Sequence, residues 1–153
     1  DFAPASLAFD APAAADLYEV DLADSVVTLS AVSIGNPHAV LWTDSVDTAP
    51  VVTLGPRIET HPRFARRTNV GFAQILSRNH LRLRVWERGV GETRACGTGA
   101  CAAVAAGRHL GRLDESVTVD LPGGRLRIDW PGPGEPLWMT GPAVRVFEGT
   151  LTP

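Results

Sequence analysis

The feature that most constrains this chain is a glycine-rich turn between an alternating segment and a run of small residues. Residues 81–86 alternate apolar and basic side chains, a pattern typical of a β-strand. Residues 100–108 are mostly Ala and predict a buried helix of about three turns. The turn between them places Cys96 directly before Gly97-Thr98-Gly99. We therefore expect this thiol at the N-terminal mouth of the helix.

The turn has the composition of an anion-binding site next to a thiol. Gly97 and Gly99 carry no Cβ, so backbone N–H groups at the start of the helix can approach a ligand closely. The positive end of a helix favours thiolate over thiol at Cys96, and the same N–H groups can bind a carboxylate or a phosphate. The sequence therefore predicts thiol chemistry beside a substrate carboxylate.

Composition excludes several classes of function. The chain has 153 residues, which suits a single domain over residues 1–153, and its net charge of −3 without a basic cluster argues against nucleic acid or an anionic membrane as partner. No apolar run reaches the length of a membrane span, and no signal peptide is visible. Cys96 and Cys101 are too close in sequence for a useful disulfide, so we expect reduced thiols and a cytoplasmic location. The spacing of the remaining histidines, His61, His80 and His109, predicts no metal site.

The rest of the chain predicts an α+β fold: a curved mixed or antiparallel sheet of about eight strands wrapped around the central buried helix. Residues 1–16, rich in Ala and Pro, are expected to form an extended lead-in. Residues 48–54 are expected to form a second helix capped by Thr48, with a separate turn after Pro56. Gly107 and Gly111 are expected to end the central helix. Alternation and turn residues predict strands at 17–22, 25–33, 69–76, 81–86, 116–121, 125–130, 137–140 and 143–147, with another following Pro37. Residues 77–80 are expected to join strands 69–76 and 81–86 in a hairpin.

The two cysteines are expected to differ. Cys96 has an alternative interpretation as a small buried hydrophobe, but its position between glycines favours a reactive thiol. Cys101 lies about one and a half turns further along the Ala-rich helix and is expected in the core. A thiol redox function is disfavoured, because there is no Cys-x-x-Cys pair.

Several polar residues near the turn have both a plain and a functional interpretation. His38 can bond its own loop, or support proton transfer at Cys96 together with Glu87. Asn36 and Asn69 can cap turns, or read a polar substrate with their amides. Glu87 and Arg88 can form a solvated ion pair. As site residues, Glu87 would instead receive an ammonium and Arg88 would bind a carboxylate.

Three separated motifs together resemble one family. They are Glu-Arg-Gly-x-Gly-x-Thr-x-Ala-Cys-Gly-Thr-Gly-Ala at residues 87–100, Gly-Asn-Pro-His at 35–38 and Arg-Thr-Asn-Val at 67–70. In this order they closely resemble the C-terminal half of the diaminopimelate epimerases, and the match runs along the whole chain. The proline racemases share the Cys-Gly-Thr-Gly turn but lack the preceding Glu-Arg-Gly-x-Gly-x-Thr, and are the second choice.

The resemblance implies a cofactor-independent isomerase that interconverts LL- and meso-diaminopimelate, on the route to lysine and peptidoglycan. Two cysteines on opposite faces of the substrate α-carbon remove and return its proton, and Cys96 resembles one of them. Gly97 and Thr98 would bind the reacting carboxylate through their N–H groups, while Glu87 and His38 would support proton transfer. The implied substrate contacts are Asn36, Asn69, Glu87 and Arg88.

The sequence departs from the family in one respect: the first half of the enzyme, with the other cysteine, is not in it. The start at Asp1 rather than Met hints at a piece of a longer chain, the C-terminal domain without its N-terminal domain. Alternatively the other half lies on another chain or has been lost, or two copies face each other as a homodimer with one Cys96 each. We expect the chain alone to lack epimerase activity. A non-catalytic binding module is the alternative from another class.

Overall fold

The computed structural model describes residues 1–151, which form a sheet of nine strands with three helices. The helices are α1 Pro4–Leu7, α2 Val51–Glu59 and α3 Gly97–His109. The strands are β1 Tyr18–Asp21, β2 Val26–Ser33, β3 Pro37–Trp42, β4 Asn69–Ser77, β5 His80–Glu87, β6 Gly91–Thr93, β7 Ser116–Leu121, β8 Gly124–Asp129 and β9 Trp138–Thr140.

The sheet is mixed, which confirms the predicted α+β class. Its strands follow the order β1-β2-β3-β4-β5-β7-β8-β9, with β6 paired to the end of β5. The β3–β4 and β5–β7 pairs are parallel and the others are antiparallel. The predicted hairpin of residues 69–76 and 81–86 is confirmed as β4 and β5, joined through Arg78 and Asn79.

The sheet is covered on both faces, and strand alternation assigns each side chain to one of them. Helix α3 packs with Val40, Leu83 and Val85 on one face. Helices α1 and α2 pack with residues such as Phe72 and Val70 on the other. Residues 99–107 of α3 are all buried, so the predicted central buried helix is confirmed. Its small side chains let the helix lie close to several strands at once.

Both helix predictions need correction at their ends. Helix α3 begins at Gly97 and continues past Gly107. Glycine is needed at position 107 for packing, because a Cβ there would come within 2.4 Å of Leu113 Cδ1. Helix α2 covers Val51–Glu59 with Pro50 at its N-cap position, so the prediction of residues 48–54 with Thr48 as cap is wrong. Pro56 lies within α2. The preceding residue is Gly55, which has no Cβ to crowd the proline ring, so the helix continues through it.

The prediction for residues 1–16 is wrong at residues 4–7, and the prediction for residues 143–147 is wrong throughout. Residues 4–7 form a helical turn rather than an extended segment, since Pro4 suits a first helical position. Leu7 and Phe9 are buried in the core on the α2 face, where the Phe9 ring stacks on that of Phe64. Residues 143–147, predicted as a strand, form no strand. Their apolar side chains are exposed, and within residues 1–151 β9 pairs on one edge only, with β8.

Candidate active site

The ends of β3, β4 and β5 bring three of the predicted site residues to one edge of the sheet. His38 pairs with Asn69 in the parallel β3–β4 register, and Val70 pairs with Trp86 in the β4–β5 register, so Asn69 lies next to Glu87. Val70 and Trp86 pack on the α2 face. Their neighbours along the strands, Asn69 and Glu87, therefore face α3.

Cys96 occupies the N-cap position of α3 in extended conformation, with φ −135° and ψ 105°, as the turn predicted. Its side chain is buried against the core on the α3 face. Gly99 makes this placement possible, because a Cβ there would lie 3.2 Å from Cys96 Sγ and 3.1 Å from Val85 Cγ2. The thiol is thus held at the mouth of the helix, at the sheet edge that carries Asn69 and Glu87.

The expectation that the helix end favours thiolate at Cys96 is wrong for this chain. Burial raises the pKa of the Cys96 thiol above its ordinary value, and the nearby Glu87 carboxylate raises it further. Hydrogen bonds from the Thr98 hydroxyl and the Gly99 N–H oppose this by favouring the thiolate. The desolvation cost wins, so the resting group is a protonated thiol.

A chain of hydrogen bonds joins His38 to this thiol. His38 Nε2 lies 3.1 Å from Asn36 Oδ1, and Asn36 Nδ2 donates to Thr98 Oγ1 at 3.4 Å. Thr98 Oγ1 lies 3.7 Å from Cys96 Sγ. Because Asn36 occupies an acceptor position of the hydroxyl, the hydroxyl hydrogen is free to point at the sulfur.

His38 is a buried neutral ring in this network. Burial, assisted by the positive charge of Arg88, lowers the pKa of His38 to about 4. At neutral pH the ring is therefore neutral, and because Asn36 Oδ1 can only accept, the matching tautomer is the one with its hydrogen on Nε2. The structure connects His38 to Cys96 through Asn36 and Thr98.

Glu87 and Arg88 do not pair with each other. Glu87 Oε1 accepts a 2.5 Å hydrogen bond from Thr93 Oγ1 on β6, which holds the carboxylate near Cys96. The Arg88 guanidinium is exposed, and its Nη1 donates to the carbonyl oxygen of Arg66 at 2.9 Å. The surface-ion-pair interpretation of these two residues is therefore wrong.

Asn69 is buried and uses its amide on backbone groups. Its Nδ2 donates to Pro37 O at 3.0 Å, and its Oδ1 accepts from Arg88 N at 3.0 Å. One donor and one acceptor position remain on the amide. Asn69 thus ties the start of β3 to the turn after β5, and its predicted contact with substrate stays a prediction.

Two residues of this region were missed from the sequence. Thr93 lies within the glycine-rich motif, but the short strand β6 that presents it gave no alternating signal. Glu59 is a buried carboxylate that bonds the turn after β5. It continues the buried helical spacing of Val51, Gly55 and Ile58. The sequence did hold a signal for Glu59, since a charged residue stands at a position where the helical period predicts an apolar one.

The remaining predictions concern Cys101 and the excluded classes. Cys101 is confirmed as a core residue, and burial raises its pKa to about 11. Within residues 1–151, no cluster of three or more His, Cys, Asp or Glu side chains could hold a metal ion. None of the helices in that range has the length and apolar character needed to cross a membrane.

Comparison with known proteins gives consistent matches. The family model described as diaminopimelate epimerase matches residues 30–146. A diaminopimelate epimerase of Alkalilimnicola ehrlichii is 63% identical over 148 residues, which are 97% of this chain and 53% of the relative. One of Pseudomonas aeruginosa is 59% identical over 149 residues, which are 97% of this chain and 54% of the relative. The chain thus spans about half the length of the curated relatives it matches.

A solved structure shares the fold at low sequence identity. A crystal structure of a probable proline racemase from Agrobacterium radiobacter, with bound carbonate, superposes with a TM-score of 0.57 at 16% identity. The superposition covers 86% of this chain and 51% of the racemase chain. At this identity the likeness concerns the fold alone.

Proposed function

This chain belongs to the diaminopimelate epimerase family, and from that premise we propose that Cys96 is one of two acid/base groups in a cofactor-independent epimerase. The reaction interconverts LL- and meso-2,6-diaminopimelate, on the route to lysine and peptidoglycan. One observation carries the proposal: Cys96 occupies the N-cap position of α3, where its thiol interacts with both Glu87 and Thr98, which act on its pKa in opposite directions.

The start of α3 supplies the electrostatic part of the mechanism. The first N–H groups of a helix have no intrahelical acceptor, so those of Gly97 and Thr98 are available to the substrate α-carboxylate. As the α-proton leaves, negative charge grows on that carboxylate, and fixed donors there stabilise the planar carbanion. The N–H groups of Gly97 and Thr98 therefore act on the charge that develops in the transition state.

Cys96 then completes the transfer on one face. An opposing base takes the α-proton, so the C–H bond breaks and its electron pair enters the planar intermediate. The Cys96 S–H bond breaks as a new C–H bond forms on the other face, which leaves a thiolate. In the reverse direction the Cys96 thiolate removes the proton and the opposing group returns one. The raised pKa of Cys96 suits a resting proton donor.

Neighbouring residues keep both forms of Cys96 accessible. Glu87 favours the thiol, while the Thr98 hydroxyl and the Gly99 N–H favour the thiolate. His38 forms a hydrogen bond with Asn36, and Asn36 forms one with Thr98. This series of hydrogen bonds orients the Thr98 hydroxyl that bonds the sulfur. In this role His38 supports proton transfer as a neutral residue.

The polar rim selects the substrate. The exposed guanidinium of Arg88 is suited to a carboxylate, and the Glu87 carboxylate to an ammonium group. Asn36 and Asn69 each keep unused amide donors or acceptors beside them. A substrate with an amino-acid group at each end is recognised by such a set, because an analogue lacking one end leaves polar groups unpaired.

The second base comes from outside this sequence, because one thiol cannot act on both faces of a planar carbon. We assign it to a further domain, because this chain covers only 53% and 54% of the length of two relatives that it matches. We also assign the whole enzyme to the cytoplasm, the location that its two free thiols suggest. The alternative source is a second copy of this chain facing the first. The dependence of the epimerisation rate on the concentration of this chain separates these two sources. Only self-association makes the rate rise with the square of that concentration.

The test is α-proton exchange of LL-diaminopimelate in deuterated water, followed by NMR. We expect no epimerisation by the chain alone and full activity of the full-length parent protein. In the latter, Cys96→Ser should lower the rate by at least about 100-fold, while Cys101→Ser, in the core, should retain it. Full turnover by the monomeric chain, or equal loss in both variants, would contradict the proposal.

A further inference from the structure

We infer that Glu59 is a positioning residue that fixes the turn carrying Glu87 and Arg88 and thereby sets the affinity for substrate. The inference rests on the proposed function, because it concerns the same site. Glu59 lies at the end of α2, on the sheet face opposite α3, and is only 5% exposed.

The Glu59 carboxylate brackets the Glu87–Arg88 pair from both sides in sequence. Its Oε2 accepts from Trp86 Nε1 at 2.7 Å, and its Oε1 accepts from Gly89 N at 2.8 Å. The residues it bonds thus directly precede and directly follow the pair. Each carboxylate oxygen thus accepts from one of the two residues that flank the pair, and Arg67 Nη1 lies 3.6 Å from Oε1.

Three successive backbone N–H groups of this turn are each fixed by a different acceptor. Arg88 N donates to Asn69 Oδ1, Gly89 N to Glu59 and Val90 N to the carbonyl oxygen of Glu87. Asn69 reaches the turn at the start of β4, whereas Glu59 reaches it from the α2 face. The turn is therefore held between two buried polar side chains that come from separate elements.

The ion pair with the exposed Arg67 side chain offsets little of the cost of a carboxylate at this position. Burying a charge is costly, and an apolar residue would continue the buried face of α2 at lower cost. Hydrogen bonds to a charged acceptor are worth about twice those between neutral groups. These stronger bonds hold the turn that presents the Arg88 guanidinium, an exposed group with one hydrogen bond of its own, from Nη1 to the carbonyl oxygen of Arg66.

The experiment uses the full-length epimerase and compares KM with kcat for LL-diaminopimelate. Glu59→Gln turns one acceptor into a donor that faces an N–H group. We expect KM to rise about 10-fold while kcat changes less than about 3-fold, because Cys96, the N–H groups of α3 and the Thr93 bond that holds the Glu87 carboxylate are untouched. Trp86→Phe removes one donor and keeps most of the ring, and should raise KM by a smaller factor of about 3.

Glu92→Gln is the matched control. Glu92 lies on β6, the strand that pairs with β5. Its carboxylate also accepts two hydrogen bonds, both from Arg84. Its KM should equal that of the wild type. An active wild type with Glu59→Gln and Glu92→Gln indistinguishable in KM would overturn the inference, as would a loss of melting temperature with unchanged KM. If Glu59→Gln fails to fold, Trp86→Phe decides by the same comparison. A wild type without epimerase activity would instead refute the proposed function.

Discussion

Replacing Gly55 by Ala tests how tightly α2 is packed against the strand that leads to the site. Gly55 is buried in α2, and an added Cβ would lie 2.6 Å from Trp86 Cγ, 2.7 Å from Trp86 Cβ and 2.9 Å from Trp86 Cδ2. These atoms are at the base of the side chain and cannot swing away. The indole is also held at its far end, since Nε1 donates to the buried Glu59 carboxylate.

The expected cost follows from two opposing contributions. Overpacking a core typically costs about 1–3 kcal/mol, and three contacts below 3.0 Å place Gly55→Ala near the upper end. Ala gains up to about 1 kcal/mol over Gly in a helix. That gain is reduced here, because the substituted residue precedes Pro56, whose ring crowds a preceding Cβ in helical conformation. We therefore expect a net loss of about 2 kcal/mol.

Urea unfolding followed by circular dichroism measures this loss. With a denaturant slope of about 2 kcal/mol/M, the midpoint should fall by about 1 M. The control is Val52→Ala, which changes an exposed residue of the same helix and should stay within about 0.5 kcal/mol of the wild type. If Gly55→Ala were as stable as Val52→Ala, the packing argument would be refuted, and with it the rigid support of the turn after β5.

Two further predictions concern titration. Because Glu87 raises the pKa of Cys96 and Thr98 lowers it, Glu87→Gln should move the pH midpoint of iodoacetamide reaction at Cys96 downward, and Thr98→Val should move it upward; shifts in the same direction would contradict the assignment, and a Cys96→Ser chain corrects for reaction at Cys101. His38 has a pKa lowered from 6.5 to about 4, so its neutral ring contributes stability that is complete above about pH 6.5 and is lost as the pH falls toward 4. Unfolding free energies measured from pH 7 to pH 4 should therefore fall by up to about 3 kcal/mol more in the wild type than in His38→Gln; parallel pH profiles would show that His38 is not the group responsible.

The sequence predicted those parts of the fold that depend on local periodicity. The hairpin of β4 and β5 and the Ala-rich helix α3 have strong period-2 and small-residue signals, and both are confirmed. The errors lie where tertiary packing overrides a local rule. Pro56 was expected to interrupt a helix, but the absence of a Cβ at Gly55 lets the helix continue. Gly107 was interpreted as a helix end, although its role is to make room for Leu113.

The sequence named the residues of the candidate site but did not predict the hydrogen bonds that connect them. Motif order brought Cys96, Glu87 and Asn69 into one hypothesis. The sheet register places Asn69 next to Glu87, and Cys96 is the N-cap residue of α3. The pKa of Cys96 could not be predicted from the turn, because its direction depends on how deeply the thiol is buried by residues far apart in sequence. Glu59 was missed for the same reason: its partners lie on another element, and only the fold brings them together.

The direction of the Cys96 pKa also constrains when its thiolate can form under the proposed function. Desolvation is already its largest cause in this chain, and a second domain closing over the site would increase it. Thr98 and Gly99 oppose the shift without reversing it. The remaining source of stabilisation is the α-ammonium of the substrate, since a positive charge within about 4–6 Å favours the charged form of an acid. At neutral pH the thiolate is therefore expected to form when the amino acid is bound, and the sulfur of the empty enzyme stays protonated and less reactive.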